Sequence, residues 1–275
     1  MKLALISERP KIAKKSENLE TIKKYINQTK ADMYVFGEMF LTGYTCKDEW
    51  QNLAETKDEE SLSFLKNLAS ENDCYIVLGM PIKDESVKAL IRNAAVLIHP
   101  SGKVDVYEKW FLPTFGPFEE KLYFDEGEKL PVFETKFGKV GLLICYDLYF
   151  PELAKAFSLQ GADMIICISA SPSTTRKYFE MLLPARALEN TTYMVYVNLV
   201  GTQEDLVFWG GAQVYDALGS CLVKAPYFEP SIVTCEFDPK DVERLRPNRP
   251  VLRDTRADLF KDVYEFSRFH EKKNK

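Results

Sequence analysis

Short apolar segments of strand length alternate along this chain with amphipathic segments of helical length, and this pattern restricts it to the α/β class. Five apolar runs predict buried strands, at residues 2–7, 33–36, 74–80, 164–169 and 193–199. Four helices are predicted between or after them, at residues 17–30, 59–69, 152–160 and 176–190. Ser16 is the predicted cap of the first helix, and the last helix is predicted in spite of Pro184.

Two β-hairpins interrupt this alternation and indicate that the sheets are of mixed direction. The first has a four-residue turn with Pro100 and Gly102, and the second turns at Gly138. Because hairpins pair strands antiparallel while helical crossovers pair them parallel, both kinds of pairing should occur. The predicted hairpin pairs are 93–98 with 103–109, and 132–135 with 139–145.

Length, charge and hydropathy limit the domain number and the kinds of partner. No linker rich in Ser, Gly or Pro occurs before about residue 245, so residues 1–275 are expected to form one domain. The charged, aromatic tail from about residue 247 is expected to pack at a subunit interface. With a net charge of −5 and no basic patch, no nucleic-acid partner is expected. No run approaches the roughly 20 apolar residues of a membrane span, and no signal peptide precedes the first strand, so we expect a cytoplasmic protein.

Six cysteines and two histidines limit the chemistry of the chain. The cysteines form no close pair, which argues against a zinc site. Cys74, Cys167 and Cys235 lie in apolar runs and are predicted to be buried structural thiols. His99 lies in the hairpin turn and His270 in the charged tail, so neither a Cys–His hydrolase nor a metal hydrolase is indicated. No metal and no other cofactor is expected.

Three predicted strands each end on a reactive side chain. Glu38 follows the run 33–36, Lys109 ends the second arm of the first hairpin, and Cys145 ends the second arm of the other hairpin. Ligands in open α/β sheets bind beyond the strand ends, where a cysteine at a strand-to-helix turn is held exposed. Each residue alone is compatible with a core or surface role, and it is the resemblance of their combined local motifs to one known family that predicts a shared reactive site.

The segments around these residues resemble the nitrilase superfamily of carbon–nitrogen hydrolases, and the resemblance runs from Lys2 to about Arg256. It is carried by the blocks GEMFLTGY (37–44), YEKWFLP (107–113) and CYDLYFPE (145–152), with LPARALEN (183–190) and RPVLRD (249–254) in support. The resemblance implies an αββα sandwich, in which two mixed β-sheets lie between two layers of helices.

The same resemblance implies the roles of individual residues. Cys145 matches the nucleophile, Glu38 the base and Lys109 the electrostatic partner, and Glu120 matches a further glutamate that positions the substrate and the lysine. The backbone N–H of Tyr146 would complete an oxyanion hole. A thiol of ordinary pKa needs a neighbouring base or cation to become a nucleophile, which Glu38 and Lys109 would supply.

The substrate is less defined than the chemistry. Aromatic residues near the motif blocks predict a neutral, partly apolar pocket for a small molecule, and Leu148 and Tyr149 stand where relatives with acidic substrates often carry Arg. Arg176 is either a carboxylate ligand or a solvated residue at a helix start. The residues proposed to line the pocket are Tyr44, Phe115, Tyr149 and Trp209.

Several functions remain open from the sequence. A linear-amide amidase that works through a thioester is ranked first, an N-carbamoyl amidohydrolase second, and a nitrilase third. Acyl transfer to an amine would use the same thioester. A non-catalytic scaffold or regulator of the same fold is the alternative from another class, and a homodimer or larger homo-oligomer is expected.

Overall fold

A computed structural model of the chain describes residues 1–84, 86, 87 and 89–273. Two six-stranded sheets dominate it. The first contains, in chain order, β1 (Lys2–Ser7), β2 (Met33–Val35), β3 (Tyr75–Lys83), β4 (Ile91–Ile98), β5 (Val104–Glu108) and β14 (Ser231–Glu236). The second contains β6 (Val132–Thr135), β7 (Gly138–Ile144), β8 (Met164–Ser169), β9 (Tyr193–Asn198), β12 (Gln213–Tyr215) and β13 (Cys221–Lys224). A small ribbon pairs β10 (Val200–Gln203) with β11 (Leu206–Trp209).

Both sheets mix parallel and antiparallel pairs, as predicted. The strand order is β14–β1–β2–β3–β4–β5 in the first sheet and β13–β12–β9–β8–β7–β6 in the second. The hairpins β4–β5 and β6–β7 are antiparallel, whereas β1–β2–β3 and β7–β8–β9 run parallel. The parallel strands therefore occupy the middle of each sheet, where both faces are covered.

Helices α1 (Lys15–Gln28) and α3 (Glu60–Glu71) pack on the outer face of the first sheet, and α4 (Pro151–Leu159) and α5 (Arg176–Asn190) pack on that of the second. The other helices are α2 (Trp50–Leu53), α6 (Pro239–Leu245) and α7 (Ala257–Lys273), and the side chains of α7 are exposed at residues 257–269. Over the described residues, none of these helices is long and apolar enough to cross a membrane.

Alternating side chains of the buried strands enter two different cores. In β1, Leu3 and Leu5 pack between the two sheets, while Ala4 and Ile6 pack beneath α1 and α3. A strand buried on both faces places successive residues in opposite layers, which explains its continuous apolar sequence. On the second sheet, Phe157 of α4 lies close to Gly141 of β7. A Cβ atom at position 141 would be only 2.8 Å from the Phe157 ring, so a larger residue does not fit there. The predicted αββα sandwich is confirmed.

Two local predictions were wrong. Ser16 does not cap α1, which begins at Lys15 and has no side-chain hydrogen bond at its N-cap. Cys235 is only partly buried because β14 is the edge strand of the first sheet, whereas Cys74 and Cys167 are fully buried, as predicted. An apolar run at a sheet edge resembles one at the centre in sequence, but one flank of the edge strand stays open.

A close approach between β3 and the chain after β2 requires a glycine at position 79. A Cβ atom there would lie 2.3 Å from the backbone N of Met39 and 2.6 Å from the Cα of Glu38. The Gly79 N–H donates to Gly37 O at 3.0 Å, and Leu41 N–H donates to Gly79 O at 3.2 Å. The segment around Glu38 is thus held directly against β3.

We expect Gly79→Ala to lower the free energy of unfolding by about 3 kcal/mol, because backbone atoms must move to admit the methyl group. Gly102→Ala is the control, since Gly102 has a φ of +80° but open space around its Cβ position. The free energy of unfolding of Gly102→Ala should fall by about 1 kcal/mol, from backbone strain alone. Urea unfolding measures both, and equal losses would contradict the close approach.

Candidate active site

The three reactive residues predicted at strand ends lie in one region between the sheets. Glu38 comes three residues after β2 ends, while Lys109 and Cys145 directly follow β5 and β7. Glu38 and Lys109 are fully buried, and Cys145 is 6% exposed. Two of these side chains therefore come from the first sheet and one from the second.

The ammonium group of Lys109 lies between two buried carboxylates. Lys109 Nζ donates to Glu38 Oε1 at 2.7 Å and to Glu120 Oε1 at 2.8 Å. Glu120 opens a short 3-10 turn, and its Oε1 also accepts a hydrogen bond from Tyr44 Oη at 2.6 Å. Burial alone would lower the pKa of Lys109, but the carboxylates of Glu120 and Glu38 more than offset it and hold this pKa above its ordinary value. The lysine is therefore a permanent cation.

Both oxygens of the Glu38 carboxylate are held by donors. Oε1 accepts from Lys109 Nζ and from Asn93 Nδ2, each at 2.7 Å. Oε2 accepts from the backbone N–H of Ala170 at 2.7 Å, and the backbone N–H of Glu38 donates to Ser169 O at 3.3 Å. Ala170 follows β8 of the second sheet, so these bonds join the two sheets at the carboxylate.

Cys145 begins a 3-10 turn that spans Cys145–Tyr149 and has a left-handed backbone with φ +47°. This conformation is unfavourable for a residue with a side chain, and such residues cluster at functional sites. Burial, and then the negative charge of Glu38, raise the pKa of the Cys145 thiol well above its ordinary value, although Lys109 opposes the shift. The resting side chain is a neutral thiol.

Hydrogen bonds to the Asp147 side chain connect the turn that carries Cys145 to the segment that carries Lys109. Asp147 Oδ2 accepts from Tyr107 Oη at 2.8 Å and from the N–H of Ile144 at 3.1 Å, and its Oδ1 accepts from the N–H of Phe111 at 3.0 Å. Burial raises the pKa of Asp147 to about 7. These three donors fix the position of Cys145 relative to β5.

A cavity of about 320 Å³ opens beside Cys145, and its walls carry no charged side chain among the described residues. Phe115, Tyr146 and Tyr149 lie on it. The cavity is lined by Pro113, Phe115, Phe118, Cys145, Tyr146, Tyr149, Ser171, Pro172, Thr175, Tyr178 and Phe179.

Three other residues singled out in the sequence lie away from this cavity. Tyr44 lies on the far side of Phe118, in a second cavity that it shares with Glu120. Trp209 is fully buried behind Ser171, to whose Oγ its Nε1 donates at 3.4 Å. The Arg176 guanidinium lies 4.6 Å from the ring centre of Tyr227, outside the cavity wall.

Asn93 and Asp147 were not singled out from the sequence, although both contribute buried hydrogen bonds to this region. Asp147 lies inside the CYDLYFPE block, so its motif was the available signal. Asn93 is an amide within an otherwise apolar strand, which is costly without partners and is the signal that could have found it. Among the described residues, no group of three or more His, Cys, Asp or Glu side chains is arranged to hold a metal ion.

The chain matches known proteins along most of its length. Residues 2–247 match the sequence profile of the carbon-nitrogen hydrolase family. A nitrilase of Pyrococcus abyssi is 31% identical over 273 residues, which cover 96% of this chain and 98% of that protein. The 2-oxoglutaramate amidase of Bacillus subtilis is 30% identical over 254 residues, which cover 90% of this chain and 94% of that protein.

A solved structure agrees with the sequence matches. The amidase from Nesterenkonia sp. superimposes with a TM-score of 0.82 at 26% identity, and the match covers 96% of each chain. The profile match spans most of the chain, and the fold and the sequence relatives point to the same group of proteins. The chain therefore belongs to the carbon-nitrogen hydrolase family, within the nitrilase superfamily.

Proposed function

We propose that this carbon–nitrogen hydrolase is an amidase that cleaves linear amides, with Cys145 as nucleophile, Glu38 as base and Lys109 as electrostatic partner. The observation that carries the proposal is the Lys109 ammonium, held by two buried carboxylates next to a buried thiol and an uncharged cavity. Burying one cation and two anions is costly, and in a folded chain such an arrangement is expected where it serves a reaction.

The reaction begins with a neutral thiol. As the Cys145 sulfur bonds to the substrate carbonyl carbon, its proton passes to the Glu38 carboxylate, and the carbonyl oxygen becomes an oxyanion. We assign the stabilisation of that oxyanion to Lys109 and to the backbone N–H of Tyr146, since the first amides of a helical turn have no acceptor within the turn. Glu120 keeps Lys109 charged and oriented throughout.

Collapse of this intermediate breaks the carbon–nitrogen bond. The leaving nitrogen takes the proton from Glu38 and departs as ammonia or an amine, which leaves a thioester on Cys145. Glu38 then removes a proton from water, whose oxygen attacks the thioester carbon. The carboxylic acid leaves and the Cys145 sulfur recovers its proton from Glu38, so each turnover consumes one amide and one water.

The cavity supports a neutral acyl group. Aromatic side chains provide most of its walls, while Arg176 is engaged with Tyr227 and Glu180. An apolar wall leaves a charged substrate without a partner, which disfavours an acidic acyl group such as that of 2-oxoglutaramate. The amidase from Nesterenkonia sp. supports the choice of amides over N-carbamoyl compounds and nitriles.

We further propose that the chain forms a homodimer through α5 and α7. Tyr178, Met181 and Leu188 on α5 are 43–72% exposed. On α7, Leu259, Phe260, Val263 and Tyr264 follow the i, i+3, i+4 spacing of one apolar face and are 38–60% exposed. A second copy of the chain would cover these faces by pairing like with like, as two-fold interfaces do.

The first prediction concerns ammonia release from neutral aliphatic and aromatic amides, N-carbamoyl amines, short dicarboxylic monoamides and nitriles. Wild type should turn over neutral amides, and Cys145→Ala should abolish this activity because no thioester can form. Cys221→Ala is the control, since Cys221 is exposed on β13, and it should keep full activity. Turnover in the presence of hydroxylamine would measure acyl transfer as hydroxamate.

Two outcomes would reject parts of this proposal. A strict preference for dicarboxylic monoamides would reject the neutral pocket. A folded wild type that releases no ammonia from any compound, and forms no hydroxamate, would favour a scaffold of the same fold.

The second prediction concerns Lys109→Met, which leaves two buried carboxylates without their shared cation. Lys109 lowers the raised pKa of Glu120, so its loss raises that pKa further and penalises the ionised form in the folded state. The free energy of unfolding should fall by about 3–5 kcal/mol at pH 8 and by less at pH 5, where the carboxyl accepts a proton. Activity should fall by at least about 10²-fold.

Urea unfolding at both pH values tests this, with the exposed Lys103→Met as control. The control should change stability by less than about 1 kcal/mol at either pH. A loss of unfolding free energy in Lys109→Met that is the same at both pH values would show that the carboxylates do not need this cation.

The third prediction concerns the tail. Removing residues 257–275 should convert a dimer into a monomer or weaken its association, because α7 supplies one of the two apolar faces. Light scattering coupled to gel filtration at micromolar concentrations measures the mass. A monomeric full-length chain under these conditions would contradict the proposed dimer.

A further inference from the structure

We propose that Asn93 is a positioning residue that fixes the geometry of the two carboxylates around Lys109 during turnover. This inference rests on the proposed function, because it assigns Asn93 a part in the work of Glu38 as base. Asn93 lies near the start of β4 and is fully buried.

The side-chain amide of Asn93 bridges both glutamates. Its Nδ2 donates to Glu38 Oε1 at 2.7 Å and approaches Glu120 Oε2 at 3.4 Å. A primary amide carries two hydrogens, so one nitrogen can serve both carboxylates. Lys109 Nζ makes the parallel bridge through Glu38 Oε1 and Glu120 Oε1. The two carboxylates are therefore linked twice, once by a cation and once by a neutral amide.

The backbone of Asn93 also holds Lys109. The backbone N–H of Lys109 donates to Asn93 O at 2.9 Å, which extends the β4–β5 pairing by one residue beyond Glu108. One residue thus fixes the backbone of the cation and the side chains of both anions. A change of side chain at position 93 leaves this backbone bond intact, so the two contributions can be separated by mutation.

The charge balance explains why a neutral donor is needed. Two carboxylates face one ammonium, so like-charge repulsion and burial both favour protonation of one carboxyl. Hydrogen bonds donated to a carboxylate favour its ionised form, and Asn93 adds such bonds without adding charge. The titratable groups that interact with this cluster are Lys109, Cys145, Tyr44, Asp147 and Cys167.

Loss of the amide should affect the two functions of the site in opposite directions. Burial raises the pKa of Glu120, and a proton taken up by the carboxylate pair leaves the site without a base for water, so hydrolysis should slow. A protonated carboxyl also removes a negative charge that disfavours the Cys145 thiolate, so the thiol should become at least as reactive toward an alkylating agent. A purely structural defect would instead lower both rates together.

The test compares wild type with Asn93→Ala and the isosteric Asn93→Asp, using kcat/KM for the best neutral amide across pH. In Asn93→Ala the acidic limb of the plot of kcat/KM against pH should move to higher pH, so that kcat/KM at pH 6 is about tenfold lower than in wild type. The kcat/KM of Asn93→Asp should fall further at neutral pH. It should recover partly in acid, where the protonated carboxyl introduced by this substitution can donate one hydrogen bond. Asn190→Ala is the matched control, since Asn190 is also a fully buried asparagine whose Nδ2 donates, in its case to Arg186 O at 2.9 Å.

The second measurement needs no substrate. Iodoacetamide labelling of the peptide that contains Cys145, followed by mass spectrometry across pH, should show labelling of Asn93→Ala at or above the wild-type rate at neutral pH. An unchanged acidic limb, or hydrolysis and labelling reduced in parallel, would overturn the role of Asn93. If wild type hydrolyses no amide, the proposed function fails, and labelling of Asn93→Ala below the wild-type rate would still overturn this inference independently.

Discussion

The ammonium group of Lys109, held between two buried carboxylates, is the interaction on which the arrangement of the site depends. Three ionised groups without solvent are stable only if every one of them has partners at hydrogen-bond distance. Here the partners come from four separate stretches of chain, which carry Tyr44, Asn93, Glu120 and Ala170. Because each buried charged group needs hydrogen-bond partners, the segments that supply these partners are held in fixed positions around the site.

Reactivity and selectivity are located on different parts of the molecule. Glu38, Lys109 and Cys145 follow β2, β5 and β7, which are anchored in the packed layers. The cavity beside Cys145 is lined largely by side chains of the connecting segments, such as Phe115, Phe118 and Pro172. Under the proposed function, a change of acyl group would follow from substitutions in these segments, while the residues assigned to bond cleavage stay in place.

The sequence was sufficient for the architecture and for the residues at strand ends. Hydrophobic period indicated the strands up to β9, whereas the resemblance of the GEMFLTGY, YEKWFLP and CYDLYFPE blocks to one family grouped Glu38, Lys109 and Cys145. It was insufficient where the outcome depends on three-dimensional packing. The bridging role of Asn93, the position of Trp209 behind Ser171 and the edge position of Cys235 all depend on which strands become neighbours. Periodicity within one strand carries no information about that order.

The division of the site between two sheets has a consequence for how the chain acquires activity. Glu38, Asn93 and Lys109 belong to the first sheet, whereas Cys145 and the Ala170 amide belong to the second. A state of the chain with only one sheet formed would therefore hold only one of these two sets of groups in place. The complete arrangement around the sulfur requires both sheets to be packed against each other.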